Sequence, residues 1–558
     1  MGSQSVWMDD WTKRALLWDT IWSLFQPQTP MGQQAKASLP PFLPGEEEAW
    51  QSMLGVQEEL LEKQNQNPAW ARQVERHLSQ LPDIRQVIRR LDRGENPGLS
   101  DWFQVKQFLW QGRAGRSRLR EEGMCQGMNT ADTDWERAFR KLNPEPKWTP
   151  AFSLSDSFSP ELAALRQTWA KWRQRRHSAH DRQVREVEKE YGIKPNHEGE
   201  WVVDQRASHR SQMESDSRLV AVRRTPFDHV FQLVPSSEEK EALLRQQKTE
   251  EMLKQTEAEV LAELADRMRP ETGFLYQAVE EWTRFDLLWA RVQAAKTWKG
   301  VRPVQGKEFR ITGGRHPHLQ KILEEQGRRY TPVDVRVVQG ATVIIGPNMG
   351  GKTSALLALG LIAALGQYGF LVPATSCDMP LTAWIAAVIG DRQEATAGLS
   401  TFGAEMNRIA VLLKREEPGL LLMDEVGRGT NPLEGAALSA ALTGYLTQKN
   451  HWSAHVTHYR EVIQVKGIHT YQVAGLSQND LRWREEEEDR NWQERIQSRM
   501  DYRLLPWEKG VDIPRQALVI ASSLGIPEDV LRKADQLIKD DGENEQRERG
   551  MAHGKIET

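Results

Sequence analysis

Apolar positions recur at three- and four-residue spacing through the first half of the chain. Leu162, Leu165, Trp169 and Trp172 share one face of a 3.6-residue repeat, and Leu253, Val260, Leu264 and Met268 share another, the pattern of amphipathic helices. Between them, over roughly residues 193–235, the rhythm breaks into short β-prone pieces, Trp201-Val202-Val203 and Leu219-Val220-Ala221-Val222, separated by polar residues. This predicts long helices interrupted by a small β excursion. From about Val301 the pattern becomes one of continuous apolar runs, Ala341-Thr342-Val343-Ile344-Ile345 and Leu420-Leu421-Leu422-Met423, with helical stretches between them. Such runs suit parallel strands buried on both faces. The expected fold is therefore an α-helical region followed by an α/β domain. The expected boundaries are a helical core over 1–157, lever helices over 158–300, the α/β domain over 301–540 and a flexible tail over 541–558. The segment from Arg482 to Arg490, with Glu485-Glu486-Glu487-Glu488-Asp489, reads as a charged surface insertion.

Length supports more than one core, since 558 residues exceed what a single hydrophobic core accommodates. Tryptophan separates the halves further, with 16 of 21 before residue 300. The longest apolar stretch, Ser354 to Gly369, is cut by Gly360, Gly366 and Gln367 and is shorter than a bilayer span. The N-terminus, with Trp7, Asp9, Asp10 and Trp11, lacks the basic and apolar regions of a signal peptide, so a cytoplasmic protein without a membrane partner is expected. Cys125 and Cys377 make neither a disulfide framework nor a zinc site. Basic and acidic residues nearly cancel, 74 against 78, so any nucleic-acid partner must be met by local patches. Two such patches are visible: Arg166, Lys171, Arg173, Arg175, Arg176, Arg182 and Arg185 in one helical stretch, and Arg206, Arg210, Arg218, Arg223 and Arg224 in the β excursion. Phosphate contacts need such residues; a solvated helix face is the alternative.

Candidate chemistry begins directly after the apolar run that ends at Ile345. Gly346-Pro347-Asn348-Met349-Gly350-Gly351-Lys352-Thr353 satisfies the pattern G-x-x-x-x-G-K-[ST], directly after a strand and opening the apolar helix that follows, and with Ser354 forms the expected nucleotide-binding set. Glycines let backbone N–H groups turn inward around a phosphate, and the helix N-terminus adds partial positive charge. Lys352 would neutralise β- and γ-phosphate oxygens, and Thr353 would ligate Mg²⁺. The run Leu420 to Met423 ends in Asp424-Glu425, placing two carboxylates at the carboxyl end of a strand, where open α/β sheets bind ligands. Asp424 is expected to hold Mg²⁺, and Glu425 to orient or deprotonate the attacking water of phosphoryl transfer. His458, in Thr457-His458-Tyr459, is a candidate hydrogen-bond donor to the γ-phosphate.

These motifs resemble those of the MutS-family ATPases, part of the wider ABC class. The phosphate loop is similar in detail, and four further stretches agree in order: Arg315-His316-Pro317 ahead of the site, Phe370-Leu371-Val372-Pro373-Ala374 as the strand after the P-loop helix, Ser400-Thr401-Phe402-Gly403-Ala404-Glu405-Met406 as the signature, and Asp424 to Thr430 as Walker B and D-loop. Thr457-His458-Tyr459 resembles the switch histidine. The resemblance implies an ABC-type P-loop domain binding ATP and Mg²⁺, and a homodimer in which Ser400 touches the γ-phosphate held by the opposite subunit. It also implies that Tyr330 stacks on adenine. Thr29-Pro30-Met31-Gly32 and Leu81-Pro82-Asp83-Ile84-Arg85 resemble the start of the family's core domain, which implies that mismatch-reading and connector domains are missing; no Phe-x-Glu triplet occurs.

Gly390-Asp391-Arg392-Gln393 and Gly429-Thr430-Asn431-Pro432-Leu433-Glu434-Gly435 are more similar to the second bacterial type, and Met500 to Leu504 with Ile513 to Leu518 to the MutS-like ATPase that reactivates adenosylcobalamin-dependent aminomutases. Two functions follow from the resemblance: an ATPase whose arms clamp DNA in mismatch repair or recombination, or a machine that remodels a cobalamin-dependent enzyme.

Overall fold

The computed structural model describes residues 6–347, 350–390, 401–475, 500–507, 518, 521 and 526–537. The expected insertion over 482–490 and the tail over 541–558 lie outside the described residues. The chain divides into two compact units, one of residues 1–28, 32–71 and 285–558, the other of 29–31 and 72–284.

The second unit is mainly helical. Its core is built around Trp102, Phe108, Trp135, Phe139 and Trp282, all buried. Helix Leu99–Glu121 admits two of these rings through glycines: a Cβ on Gly112 would come within 2.5 Å of Trp135, and one on Gly115 within 2.6 Å of Trp282. A buried ion pair, Arg116 to Glu281 at 3.2 Å, has its carboxylate satisfied by the Thr130 hydroxyl at 2.6 Å and the Asn129 and Thr130 N–H groups, each at 2.7 Å. Such hydrogen-bond coverage is what makes a buried charge tolerable.

Two helices of 32 residues each follow, Pro160–Tyr191 and Ser237–Met268. Both start on serine caps, Ser159 accepting from the Leu162 N–H and Ser236 from the Glu239 N–H. Arg166 pairs with Glu257 and Arg182 with Glu238, so the helices run antiparallel. Between them lie β1 (Glu200–Asp204), β2 (Leu219–Arg224) and β3 (Asp228–Leu233), an antiparallel sheet in the order β1-β3-β2. Alternation buries Trp201, Val203 and Phe231 on one face and leaves Val202, Val220 and Val222 exposed on the other.

The first unit is the α/β part. Its strands are β4 (Val304–Gln305), β5 (Phe309–Gly314), β6 (Val333–Val337), β7 (Gly340–Ile345), β8 (Ser376–Met379), β9 (Ile385–Val388), β10 (Leu420–Asp424), β11 (Trp452–Thr457), β12 (His469–Gly475) and β13 (Asp501–Pro506). A six-stranded sheet has the order β13-β12-β7-β11-β10-β9, parallel except for β13, and a four-stranded sheet the order β4-β8-β5-β6. The strand after the P-loop helix begins at Ser376 rather than in the expected segment Phe370 to Ala374, of which Val372 makes only an isolated bridge to Val301. Pro373, which cannot donate to a ladder, sits in that segment.

The division into units differs from the boundaries read from periodicity, because residues 6–28 and 32–71 pack with the α/β part. Met8 bridges to Ile385, whose N–H donates to the Trp7 carbonyl at 2.8 Å. Trp50 donates to the Gly366 carbonyl at 2.7 Å, and Gln57 to that of Gly369 at 2.7 Å. This explains the uniformly apolar helix Lys352–Gln367. A Cβ on its Gly360 would lie 2.4 Å from Leu422 on one side and 2.6 Å from Leu16 on the other, so the helix is enclosed by β10 and by the N-terminal segment, and an enclosed helix has no polar face. Among the described residues no helix is long and apolar enough to cross a membrane.

Candidate functional site

β7 and β10 flank β11 in the parallel sheet, and the site forms at their carboxyl ends. The chain leaves β7 through Gly346, where a Cβ would come within 2.9 Å of Val473. It enters the helix through Gly351, whose φ of +76° is a left-handed conformation that glycine adopts without steric cost. Asn348, Met349 and Ser400 of the expected set lie outside the described residues, as do Asp391 to Gln393. Ser354 is exposed in the first turn of the helix.

Lys352 is buried, 4% exposed, and folds back on the loop. Its ammonium donates to the Gly346 carbonyl at 2.8 Å and the Pro347 carbonyl at 2.9 Å, and it lies 3.6 Å from Glu425 Oε1. Burial lowers its pKa while the Glu425 and Asp424 charges oppose that shift. The Thr353 hydroxyl donates to Asp424 Oδ2 at 2.8 Å. The other oxygen, Oδ1, is buried without a hydrogen-bond partner among the described residues. Burial pushes the Asp424 carboxyl up, and the Thr353 hydroxyl offsets part of this.

A hydroxyl and a buried carboxylate with a free oxygen are hard oxygen donors suited to Mg²⁺, which takes few protein ligands and completes its shell with water and phosphate. Orphaned buried oxygens are costly, and a bound cation relieves the cost.

Glu425 has a φ of +49°, a conformation that costs a non-glycine residue roughly 1–3 kcal/mol and clusters at functional sites. Its N–H donates to the Val456 carbonyl at 2.8 Å, and Arg428 donates to its Oε2 at 2.9 Å. His458 Nδ1 lies 3.6 Å from its Oε1. The His458 ring is the main influence holding the Glu425 carboxyl down at about 2; burial opposes it, and the Lys352 and Arg428 charges add to it. A carboxylate so acidic orients a water well and takes its proton poorly, because proton transfer favours a base with a pKa near the working pH.

The structure thus brings together Gly346, Gly351, Lys352, Thr353, Asp424, Glu425 and His458. It does not bring Tyr330 to a free face. That residue is 8% exposed and its hydroxyl accepts the His316 N–H at 3.0 Å, so both ring and oxygen are occupied in the core. The aromatic beside the phosphate loop is Tyr502 in β13: a Cβ on Gly351 would meet its Cδ1 at 2.9 Å. The Arg328 side chain bonds the Tyr502 hydroxyl. Sequence order hides this neighbour, since β13 reaches β7 only through β12; alternation within residues 500–504 was the available signal.

The expected basic patches are partly consumed within the helical unit. Arg166 pairs with Asp156 at 3.0 Å and Glu257 at 3.1 Å, while Arg175 and Arg182 pair with Glu238 at 3.3 and 3.2 Å. Arg218 pairs with Glu190 and Asp216. Lys171, Arg176, Arg206 and Arg223 are exposed.

Comparison with known proteins agrees with this geometry. Residues 342–540 match the profile of MutS domain V. The chain is 35% identical over 230 residues to the DNA mismatch repair protein MutS of Thermus thermophilus, covering 41% of this chain and 28% of that protein. It is 34% identical over 230 residues to MutS of Thermus aquaticus, again 41% of this chain and 28% of the relative. It is also 28% identical over 478 residues to the endonuclease MutS2 of Pelotomaculum thermopropionicum, 81% of this chain and 55% of that protein. The chain therefore spans between about a quarter and about half of the length of these relatives. Residues 342–540 are thus similar to a MutS domain, and longer stretches of the chain are similar to parts of MutS and MutS2.

Proposed function

We propose that this chain is a MutS-like ATPase that couples ATP binding and hydrolysis to movement of its helical arms on DNA. The observation that carries the ATPase reading is the cluster of Lys352, Thr353, Asp424 and Glu425 at the carboxyl ends of β7 and β10. ATP phosphates would occupy the loop, with Lys352 exchanging the Gly346 and Pro347 carbonyls for β- and γ-phosphate oxygens. Thr353 and Asp424 would hold Mg²⁺, which when bound neutralises phosphate charge. Glu425 orients a water toward the γ-phosphorus; the bond to the β-phosphate breaks, leaving ADP and inorganic phosphate. His458 donates to the γ-phosphate, so its contact with Glu425 changes with the nucleotide state. Tyr502, rather than Tyr330, is the aromatic available to the nucleotide. In a homodimer, Ser400 of one copy would complete the site of the other.

The alignment with MutS2 over 81% of the chain, against 41% for MutS, supports a place beside the second bacterial type. The DNA-repair names of the relatives and the exposed Lys171, Arg176, Arg206 and Arg223 support DNA as partner. One observation favours the second reading, a protein client such as a cobalamin-dependent enzyme. The exposed face of the small sheet presents Val202, Val220 and Val222, with Phe227 beside them 80% exposed, and apolar clusters of this kind mark protein contacts.

DNA-stimulated ATP hydrolysis, measured across a salt series, separates the two. On the DNA reading duplex or branched DNA raises the rate, and the effect fades steeply between 50 and 200 mM salt, over which six to ten phosphate contacts lose roughly 10³–10⁵ in affinity. No stimulation at low salt would favour the protein client.

A further inference from the structure

The loop that follows β10 carries Glu425 and is held at one residue, Gly427, through both of its backbone polar groups. Gly427 has a φ of +87°, and a Cβ there would come within 2.9 Å of the Gly435 carbonyl oxygen, so the backbone crosses the start of helix Pro432–Leu446 at the closest approach a glycine permits. Its N–H donates to the carboxylate of Glu405. Its carbonyl accepts the Tyr459 hydroxyl at 3.3 Å.

The two side chains come from different parts of the site. Glu405 lies in the second turn of helix Thr401–Leu412, which begins directly after residue 400. Phe402 of that helix packs on the same loop, its Cβ 3.1 Å from where a Cβ on Gly429 would stand. Tyr459 is buried and follows His458, the two ring centroids 4.4 Å apart. The helix itself is anchored through Arg408, which donates to the Ala387 carbonyl at 2.9 Å and pairs with both oxygens of Asp9 at 2.8 and 2.9 Å. A carboxylate on the helix and a hydroxyl just past the strand thus hold the two peptide groups that flank the Gly427 Cα, two residues from Glu425. Burial pushes the Glu405 carboxyl up to about 7, with the Gly427 N–H holding it down in part, as expected of a group enclosed for this contact.

We infer that Glu405 and Tyr459 are positioning residues: by holding the Gly427 backbone on both sides of its Cα they keep Glu425 in its left-handed conformation and tie it, with His458, to the helix that follows residue 400. The inference rests on the ATPase reading above. In the proposed homodimer it supplies a route by which occupancy of one ATP site is felt at the segment that completes the other.

The test is steady-state ATP hydrolysis together with equilibrium binding of a non-hydrolysable ATP analogue, on the full chain. Glu405→Ala lowers kcat by between about tenfold and a hundredfold, the range expected when a reacting group is displaced by up to an ångström, while analogue affinity stays within about twofold. Glu405→Gln, whose amide oxygen still accepts the Gly427 N–H, restores kcat. Tyr459→Phe lowers kcat in the same way, and the double variant Glu405→Ala, Tyr459→Phe falls no further than the worse single variant, because both act through the backbone of one residue, Gly427. A purely structural role would lower the melting temperature and analogue affinity together and would not be rescued by glutamine. If Glu405→Ala does not fold, the Tyr459→Phe and Glu405→Gln arms decide alone. Wild-type hydrolysis with unchanged kcat in Glu405→Ala or Tyr459→Phe overturns the inference and leaves the ATPase reading standing. Absence of hydrolysis by the wild type overturns both.

Discussion

Replacing Gly351 by alanine tests the phosphate loop where its geometry is most constrained. The substitution carries two separable costs. The first is conformational: a φ of +76° is unfavourable for an L residue by roughly 1–2 kcal/mol. The second is steric. The new methyl would stand 2.9 Å from Tyr502 Cδ1 and 3.6 Å from its Cβ and Cγ, so the ring must shift by a few tenths of an ångström, an overpacking cost of about 1 kcal/mol. Together they predict a loss of about 2–3 kcal/mol from the α/β unit, a fall in melting temperature of roughly 3–4 °C for a unit of this size by scanning calorimetry. Tyr502→Ala removes only the steric part, so a double-mutant cycle should show a coupling of about 1 kcal/mol with the conformational part intact. A Gly351→Ala protein melting within a degree of wild type would refute both the left-handed turn and the contact with Tyr502, and a cycle with no coupling would refute the contact.

Two further outcomes follow from the same site and its anchor. Glu425→Gln should bind ATP with affinity within a few-fold of wild type and lose turnover by about a hundredfold or more, measured by phosphate release; equal loss of both would mean that Glu425 acts in binding. At the N-terminus, burial raises the Asp9 carboxyl, but hydrogen bonds from Arg408 and Thr12 outweigh it and hold it at about 2. A carboxyl depressed in the folded state stabilises above its unfolded value near 4, and that stability is lost as pH falls toward about 2. Acid unfolding followed by circular dichroism should therefore steepen over pH 4 to 2, and Asp9→Asn should lower stability at pH 7 while flattening that window; identical curves would separate residues 6–15 from the stability of the α/β unit.

What the sequence made legible was local. The runs 341–345 and 420–423 became β7 and β10 because an all-apolar run of strand length has only a doubly covered sheet to enter. The phosphate loop declared itself through glycines whose backbone geometry no other residue provides. What stayed hidden depended on long-range pairing. Nothing in the spacing of Trp7, Leu16, Trp18 and Trp50 says which surface they cover, and they cover the P-loop helix and its neighbours. Tyr330 and Tyr502 are equally aromatic in the sequence; only the ladder β13-β12-β7 decides that the second meets Gly351 and the first is buried against His316. The grip of Glu405 and Tyr459 on Gly427 joins residues 22 and 32 apart from it in the chain to one backbone position, and a helical or strand repeat carries no trace of it. That Arg166, Arg175 and Arg182 of helix Pro160–Tyr191 are paired with Glu257 and Glu238 of the facing helix, while Lys171 and Arg176 stay exposed, is likewise not carried by the spacing of the basic residues.

The central claim, that residues 346–353 with Asp424 grip a nucleoside triphosphate, is tested most directly by equilibrium binding of a fluorescent non-hydrolysable ATP analogue with and without Mg²⁺, to the wild type and to Lys352→Ala. The account predicts saturable, Mg²⁺-dependent binding by the wild type and a loss of at least about a hundredfold in Lys352→Ala, equivalent to about 2.8 kcal/mol, with the fold of the variant verified by its melting transition. Equal affinity in the two proteins, or no binding by the wild type, would contradict it.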